Sequence, residues 1–260
     1  MADTDELVNQ VMGKLLNKAN AGTTVDTKPT QSGLTEFVGT APVGDTIGMV
    51  IANVDSGLSE NLHLQKQFRS LGILSARTGG GPQIMSMDEA VKATNTQVVS
   101  IQMPRDTKGG AGHGSLIIVG GDDVSDVRRA IEVALAAVPT HFGDVYNSPA
   151  GHLELQYTAR ASEAAHFAFN APIGKAYGLI AGAPAGIGVV MGDTALKAAN
   201  VDVLSFASPA YGTSFSNEGI LHISGDSGAV RQAVIAAREV GLDLLGTLAG
   251  KPKNDFPSYI

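Results

Sequence analysis

The sequence predicts an α/β (α+β) protein built from two tandem copies of one module, each a small mixed sheet with flanking helices. Three observations carry this. Residues 88–104, DEAVKATNTQVVSIQMP, recur 105 positions later as DTALKAANVDVLSFASP, with eight of 17 positions identical, where ordinary composition gives about one. The match extends outward: Gly72 pairs with Gly178, Gly121 and Asp122 with Gly225 and Asp226, and Val127 and Arg128 with Val230 and Arg231, each with a small slip. In both copies short apolar runs alternate with helical periodicity, and 260 residues leave room for two cores.

Composition narrows the classes. Charged residues are only 17% and aromatics 5%, with 32 Gly; so few charges cover little free surface, which suits a chain that hides surface in an assembly. The net charge of -7 and the lack of any Lys/Arg run argue against nucleic acid as a partner. Zero Cys excludes disulfides and thiolate catalysis and fits a reducing cytoplasm. The acidic start (Asp3, Asp5, Glu6) is unlike a signal peptide, and the longest apolar stretch, 178–192, is broken by Pro184 and glycines, so no membrane span is expected.

In chain order, Leu7, Val8, Val11, Met12, Leu15 and Leu16 step at helical spacing and form one apolar stripe. Residues 19–33, rich in Ala, Gly, Thr, Asp, Pro and Ser, read as a linker, so this short helix sits on a tether and docks either on its own domain or on a partner. The first module then reads as strand 47–54, helix 58–69, strand 71–76, a Gly79-Gly80-Gly81-Pro82 turn, a helix with Asp88 near its start, strand 98–103, a loop over 104–114, strand 115–120, and a helix opened by Asp122 and Ser125. The second repeats this order: strand 153–159, a helix from Ser162, strand 177–183, a helix from Asp193, strand 201–207, loop 208–219, strand 220–224, and a helix over 227–240. The tail 251–260, with two prolines, reads as extended.

Catalytic motifs fail on inspection. Residues 39–46 have the spacing of a phosphate loop, but Asp45 stands where lysine belongs. Gly79-Gly80-Gly81 lacks the third glycine of a dinucleotide fingerprint, having Ile84 there, and the second copy fails likewise at Met191. The six histidines show no zinc-site spacing, and Gly212-Thr213-Ser214-Phe215-Ser216 lacks the last glycine of a nucleophile elbow. Neither a cofactor nor a metal is expected. An enzyme with a dispersed site, or a small-molecule-binding sensor or regulatory protein of duplicated α/β domains, stays open on these residues.

The stretch LKAANVDVLSF at 196–206, the turn GDSGAV at 225–230, and their weaker copies around Lys92 and Asp122 resemble the bacterial microcompartment (BMC) shell domain. LTEFVGTA, VIANVDS, RSLGI, EAVKATNT, PRDTKGGAGHGSLII, QYTARAS, GTSFSNE and PKND are similar to the tandem-domain shell proteins of propanediol-utilisation compartments, from Leu34 to the end. The resemblance implies two circularly permuted BMC domains at 45–149 and 150–250, after an N-terminal helix and linker at 1–44 and before a tail at 251–260. It further implies a structural protein without catalysis, a homotrimer that imitates a hexagon and tiles with other microcompartment shell proteins.

In that family the loops 104–114 and 208–219 face the symmetry axis. Lys108, Gly109, Gly110, Gly112 and His113, with Thr213, Ser214, Ser216, Asn217 and Glu218, would then line a pore for small polar metabolites such as diols, or the loops would plug the centre and passage would lie elsewhere. A diol donates and accepts hydrogen bonds whereas an aldehyde only accepts, and each unmatched bond costs about 0.5–1.5 kcal/mol. The family also implies Lys92 and Lys197, each three residues before Asn95 or Asn200 on one helical face, as the tile edge, with Arg160 assisting and Val54 at its aligned place. The N-terminal helix is expected to grip encapsulated enzymes.

Overall fold

The computed structural model describes residues 33–104 and 114–260. The expected helix carrying Leu7, Val8, Val11, Met12, Leu15 and Leu16 lies outside the described residues, as do Lys108, Gly109, Gly110, Gly112 and His113. The first repeat runs β1 (Phe37–Ala41), β2 (Thr46–Ile51), α1 (Ser56–Asn61), β3 (Ser70–Ala76), α2 (Gly81–Lys92), β4 (Gln97–Gln102), β5 (Ser115–Gly121) and α3 (Val124–His141). The second follows as β6 (Val145–Ser148), β7 (Gly151–Thr158), α4 (Glu163–Phe169), β8 (Ala176–Ala183), α5 (Ala185–Ala198), β9 (Asp202–Ala207), β10 (Gly219–Gly225) and α6 (Ser227–Ala249). Strand order is β1-β2-β3-β5-β4 in one sheet and β6-β7-β8-β10-β9 in the other.

Sheets expected as mixed are antiparallel at every pairing. The strand before the long loop and the strand after it fold back on each other, so β5 inserts between β3 and β4, and β10 between β8 and β9. The register also fixes which residues correspond. Gly72 lies opposite Val50 and Val119, and Gly178 opposite Tyr157 and Ile223. These two glycines take the same place under the long helices: a Cβ at Gly72 would sit 2.9 Å from Val127 Cγ1, and one at Gly178 2.8 Å from Val234 Cγ2. Helix and sheet approach this closely only where the side chain is missing, which explains why the two copies share the residue. By the same register Arg160 corresponds to Asn53 rather than Val54.

Four helices depart from the sequence reading, α6 by running on to Ala249 beyond the expected end at 240. The helix expected over 58–69 ends at Asn61, because His63 turns left-handed at φ 52 and the chain then runs beside β4, where Gln65 N–H donates to Val99 O. Helix α2 begins at Gly81, seven residues before Asp88: Gln83 folds back, accepting from Gly80 N at 2.7 Å and donating to Thr46 Oγ1 and Thr78 O. Pro82 suits a first turn, where an amide would have no acceptor within the helix. Helix α5 likewise starts at Ala185, well before Asp193. Helices α3 and α6 are capped by Asp123, accepting from Ser125 N, and Asp226, accepting from Gly228 N and Ala229 N. The tail is anchored: buried Asp144 accepts from Arg238 Nη1 at 2.7 Å and from the amides of Tyr259 and Ile260.

Gly178→Val is expected to lower stability by about 1–3 kcal/mol through overpacking against Val234 and Val230. Gly246→Ala, whose Cβ meets nothing nearer than 3.9 Å, should raise stability by up to about 1 kcal/mol through helix propensity. Equal thermal shifts for the two in calorimetry would contradict this packing.

Candidate functional site

The two repeats meet where α2 and β4 of the first face α4 and β7 of the second. Asp88, wholly buried, accepts hydrogen bonds from Ser162 N at 2.9 Å and Ala165 N at 3.0 Å, the first amides of α4. Ser162 occupies the cap position of that helix, yet its side chain makes no capping bond, so a carboxylate from the other repeat does the capping. Lys92 Nζ lies 2.9 Å from Asp88 and 3.0 Å from Glu89, and Glu163 accepts from Val98 N at 3.2 Å. An apolar cluster spans the same junction, joining Ile84, Met85, Val91 and Val98 to Ala161, Ala164, Ala165 and Phe169.

Beside this seam lies a cavity of about 270 Å³. Gly79, Gly80, Gly81 and Met103 line it from the first repeat, and Glu154, Phe169, Leu179, Gly212, Thr213, Ser214, Glu218, Ile220 and His222 from the second. Most of its wall is apolar with a few convergent polar groups, the usual make-up of a small-molecule site. Glu218 is held by His152 Nε2 at 2.8 Å and by the Ser216 hydroxyl. Thr213 Oγ1 donates to Ser216 O at 3.0 Å, while Asn217 Oδ1 accepts from Ala185 N and fastens the loop to the start of α5. His222 Nδ1 is 2.7 Å from Tyr177 OH, and its ring stacks on Phe169 with centroids 5.0 Å apart.

The electrostatics follow from burial. The Glu154 carboxyl is pushed up to about 8, first by desolvation and then by the neighbouring Glu218 charge, against a partly offsetting hydrogen bond from the Gly81 backbone. A Cβ at Gly81 would overlap Glu154 Oε1, so glycine is what lets the backbone reach it. Desolvation pulls His222 down to about 4, leaving a neutral imidazole, and burial raises the Tyr177 phenol well above its ordinary value. His141, whose buried Nδ1 has no partner among the described residues, is likewise lowered to about 4, mainly by desolvation.

Five loop residues read from the sequence are thus brought to one place. Thr213, Ser214 and Glu218 line the cavity, and Ser216 and Asn217 brace it. Lys92 and Lys197 close their helices, but α2 ends at Lys92 and α5 at Ala198, so Asn95 and Asn200 lie past the helix ends and share no helical face with them. Both asparagines and Arg160 are exposed. Lys197 pairs with Asp193 at 2.6 Å, its side chain 75% exposed, against 25% for Lys92. Glu154, His152 and His222 carry no site signal in the sequence: alternation along LELQYT puts Glu154 on a solvent face, and the histidines lack zinc-site spacing. The signal lay between the repeats. Register sets Glu154 against Ile47 and His222 against Ile118, so a polar group replaces an apolar one in the second copy alone.

Among the described residues no group of three or more His, Asp or Glu is placed to hold a metal ion, and no helix is long and apolar enough to cross a membrane. A duplicated antiparallel α/β module with a structural seam and a polar junction cavity defines a tandem-domain protein. The BMC-domain model matches residues 70–149 and 176–251, and the chain belongs to that family, the shell proteins of bacterial microcompartments. It is 62% identical to the bacterial microcompartment shell protein PduB of Citrobacter freundii, over 99% of each chain. It is 69% identical to PduB of Salmonella typhimurium, over 87% of this chain and 84% of that one. A crystal structure of a trimeric bacterial microcompartment shell protein PduB superposes with a TM-score of 0.85 at 64% identity, covering 87% of this chain and all of that one.

Three buried groups set the pH dependence of stability. Glu154, raised to about 8, contributes stability that is full below its ordinary 4.5 and lost as pH rises through 8. His141 and His222, lowered from 6.5 to about 4, contribute stability that is full above 6.5 and lost as pH falls toward 4. Between 4.5 and 6.5 the two histidines outweigh the one carboxyl, so their sum peaks at about pH 6.5. Raising pH from 6.5 to 9 should lower the melting temperature by roughly 5 °C, and Glu154→Gln should flatten that alkaline limb. A limb unchanged by the substitution would refute the assignment.

Proposed function

We propose that three copies of this chain close into a ring of six modules that tiles, with other shell proteins, into microcompartment facets, and that small uncharged polar metabolites such as diols pass through the junction cavity. One observation carries the ring. On α5 and β9 of the second repeat, Val189, Val190, Leu196, Val203 and Phe206 are 40–53% exposed. The residues 105 positions earlier, Ile84, Met85, Val91 and Val98, are buried at 0–8%, and Ile101 is packed against the same core. What covers them is the second repeat itself, and a second copy's first repeat presents the equivalent surface, with exposed Leu58 on α1. Repeating the internal junction between chains closes the series at three copies. The trimeric relative supports this closure.

No catalytic role is proposed: the hydroxyls that meet a base here, Tyr177 at His222 Nδ1 and Ser216 at Glu218, belong to buried side chains. The central loops retain a part in the passage through Thr213, Ser214 and Glu218, with Lys108, Gly109, Gly110, Gly112 and His113 assigned to the axis by family likeness. Lys92 and Lys197, with Asn95, Asn200 and Arg160, are assigned to the tile edge, where a long apolar stem and a terminal ammonium suit backbone carbonyls of the adjoining tile. Residues 1–33 are assigned to contact with encapsulated enzymes through the stripe from Leu7 to Leu16. The module bounds 45–149 and 150–250 belong to the same reading, with β1 and β6 as edge strands reaching upstream of each.

Sedimentation tests the ring. The wild-type chain should run as a trimer at micromolar concentration, and Val190→Glu with Val203→Glu as a monomer. A wild-type monomer would refute the proposal. Lys92→Ala with Lys197→Ala should keep the trimer and abolish sheets in electron micrographs, and unchanged sheets would remove the lysines from the edge.

A further inference from the structure

The junction cavity offers a passing solute few polar partners, and most are already engaged. Glu218 accepts from His152 and Ser216, Thr213 Oγ1 donates to a backbone carbonyl, and His222 is bound to Tyr177. Glu154 differs. It lies within the wall on β7 facing the space between the repeats, and among the described residues its carboxyl accepts a single hydrogen bond, from the Gly81 backbone. A neutral carboxyl keeps an O–H to donate, whereas an ionised one can only accept.

We propose that Glu154 decides which solutes the cavity accepts, standing in it as an uncharged acid that donates a hydrogen bond, and that loss of its proton turns the cavity against neutral hydroxylated solutes. This rests on the reading of the cavity as a passage. As an acid, Glu154 donates to a solute oxygen while the solute's own hydroxyls find the acceptors of the loop, so a molecule with neighbouring hydroxyls is matched at both ends. After ionisation two carboxylates, Glu154 and Glu218, share one poorly solvated space, which then suits cations.

The groups facing Glu154 do little to hold the charge. Glu218 comes from the loop and repels it, His152 on the same strand is committed to Glu218, and His222 on β10 is neutral. Tyr177 on β8 and Tyr259 of the tail are both phenols kept protonated by burial, and from α2 comes only the Gly81 amide. The first repeat has Ile47 in the equivalent place. A junction built from that surface therefore lacks the acid, and the proposal confines the property to the junction within each chain.

The test uses the full-length assembled protein with propane-1,2-diol as probe, its dissociation constant measured by ligand-observed NMR at pH 6.5 and 9.5. Wild type should bind about tenfold more weakly at pH 9.5, the loss of one matched hydrogen bond. Glu154→Gln, which keeps a donor of the same shape, should bind equally at both values, and Glu154→Leu should bind as weakly at pH 6.5 as wild type does at 9.5. Glu218→Gln should move the midpoint of the wild-type transition to lower pH, because the Glu218 charge adds to burial in keeping Glu154 protonated, and a midpoint that stays or rises would remove Glu218 from that role. Binding by wild type that does not change with pH overturns the role of Glu154 while leaving the passage intact. Absence of diol binding at both values overturns the passage and the proposal together. A pH dependence that survives in Glu154→Gln, with native circular dichroism, assigns it to another group and overturns the proposal.

Discussion

The seam between the repeats depends on one buried carboxylate. Asp88 sits inside α2, receives the first amides of α4, and is paired with Lys92. A charge removed from water is costly unless it is both paired and hydrogen-bonded, and here both conditions are met by groups from two repeats. The helix it caps has no side-chain cap of its own. Losing Asp88 would leave two amides without their acceptor and the Lys92 ammonium with Glu89 and Thr158, which makes Asp88 a register pin as well as a contact between α2 and α4.

The corresponding residue of the second repeat, Asp193, is in a different state. Its side chain is 60% exposed and held only by Lys197. The neighbouring apolar residues are 40–53% exposed where their counterparts are buried or packed against the core. One sequence element thus appears twice in one chain, once with its partner surface and once without it, and the difference is where each copy stands relative to the end of the duplicated unit. The helix that a second copy would offer, α1, already carries its own cap, Asp55 accepting from Leu58 N. A junction between chains built on this pattern would therefore differ in chemistry from the one within each chain.

The same divergence places the cavity. Glu154, His222 and Tyr177 stand in register with Ile47, Ile118 and Leu71 of the first repeat. The two copies share their backbone and the packing glycine at Gly72 and Gly178, and the second carries hydrogen-bonding groups where the first has apolar ones. The exchange is tolerated because each polar group was supplied with a partner: Tyr177 with His222, Glu218 with His152, and Glu154 with the close backbone of Gly81.

The sequence by itself determined the duplication, the order of the helices and of every strand but the edge strands β1 and β6, and the absence of recognisable catalytic spacing. These are local patterns: identity at a fixed offset, apolar periodicity, and clusters of glycine with polar residues. What only the tertiary structure decided is non-local. Antiparallel pairing depends on β5 entering between β3 and β4. The shortened α1 depends on a left-handed turn at His63 and on β4 beside it. Asp88 reads as a residue near a helix start until a second helix, 74 positions away, arrives to be capped. Glu154 reads as a surface carboxylate until both faces of its strand are covered. In each case the outcome is set by a segment that reaches the residue from elsewhere in the chain, and a partner distant in sequence leaves no periodicity to read.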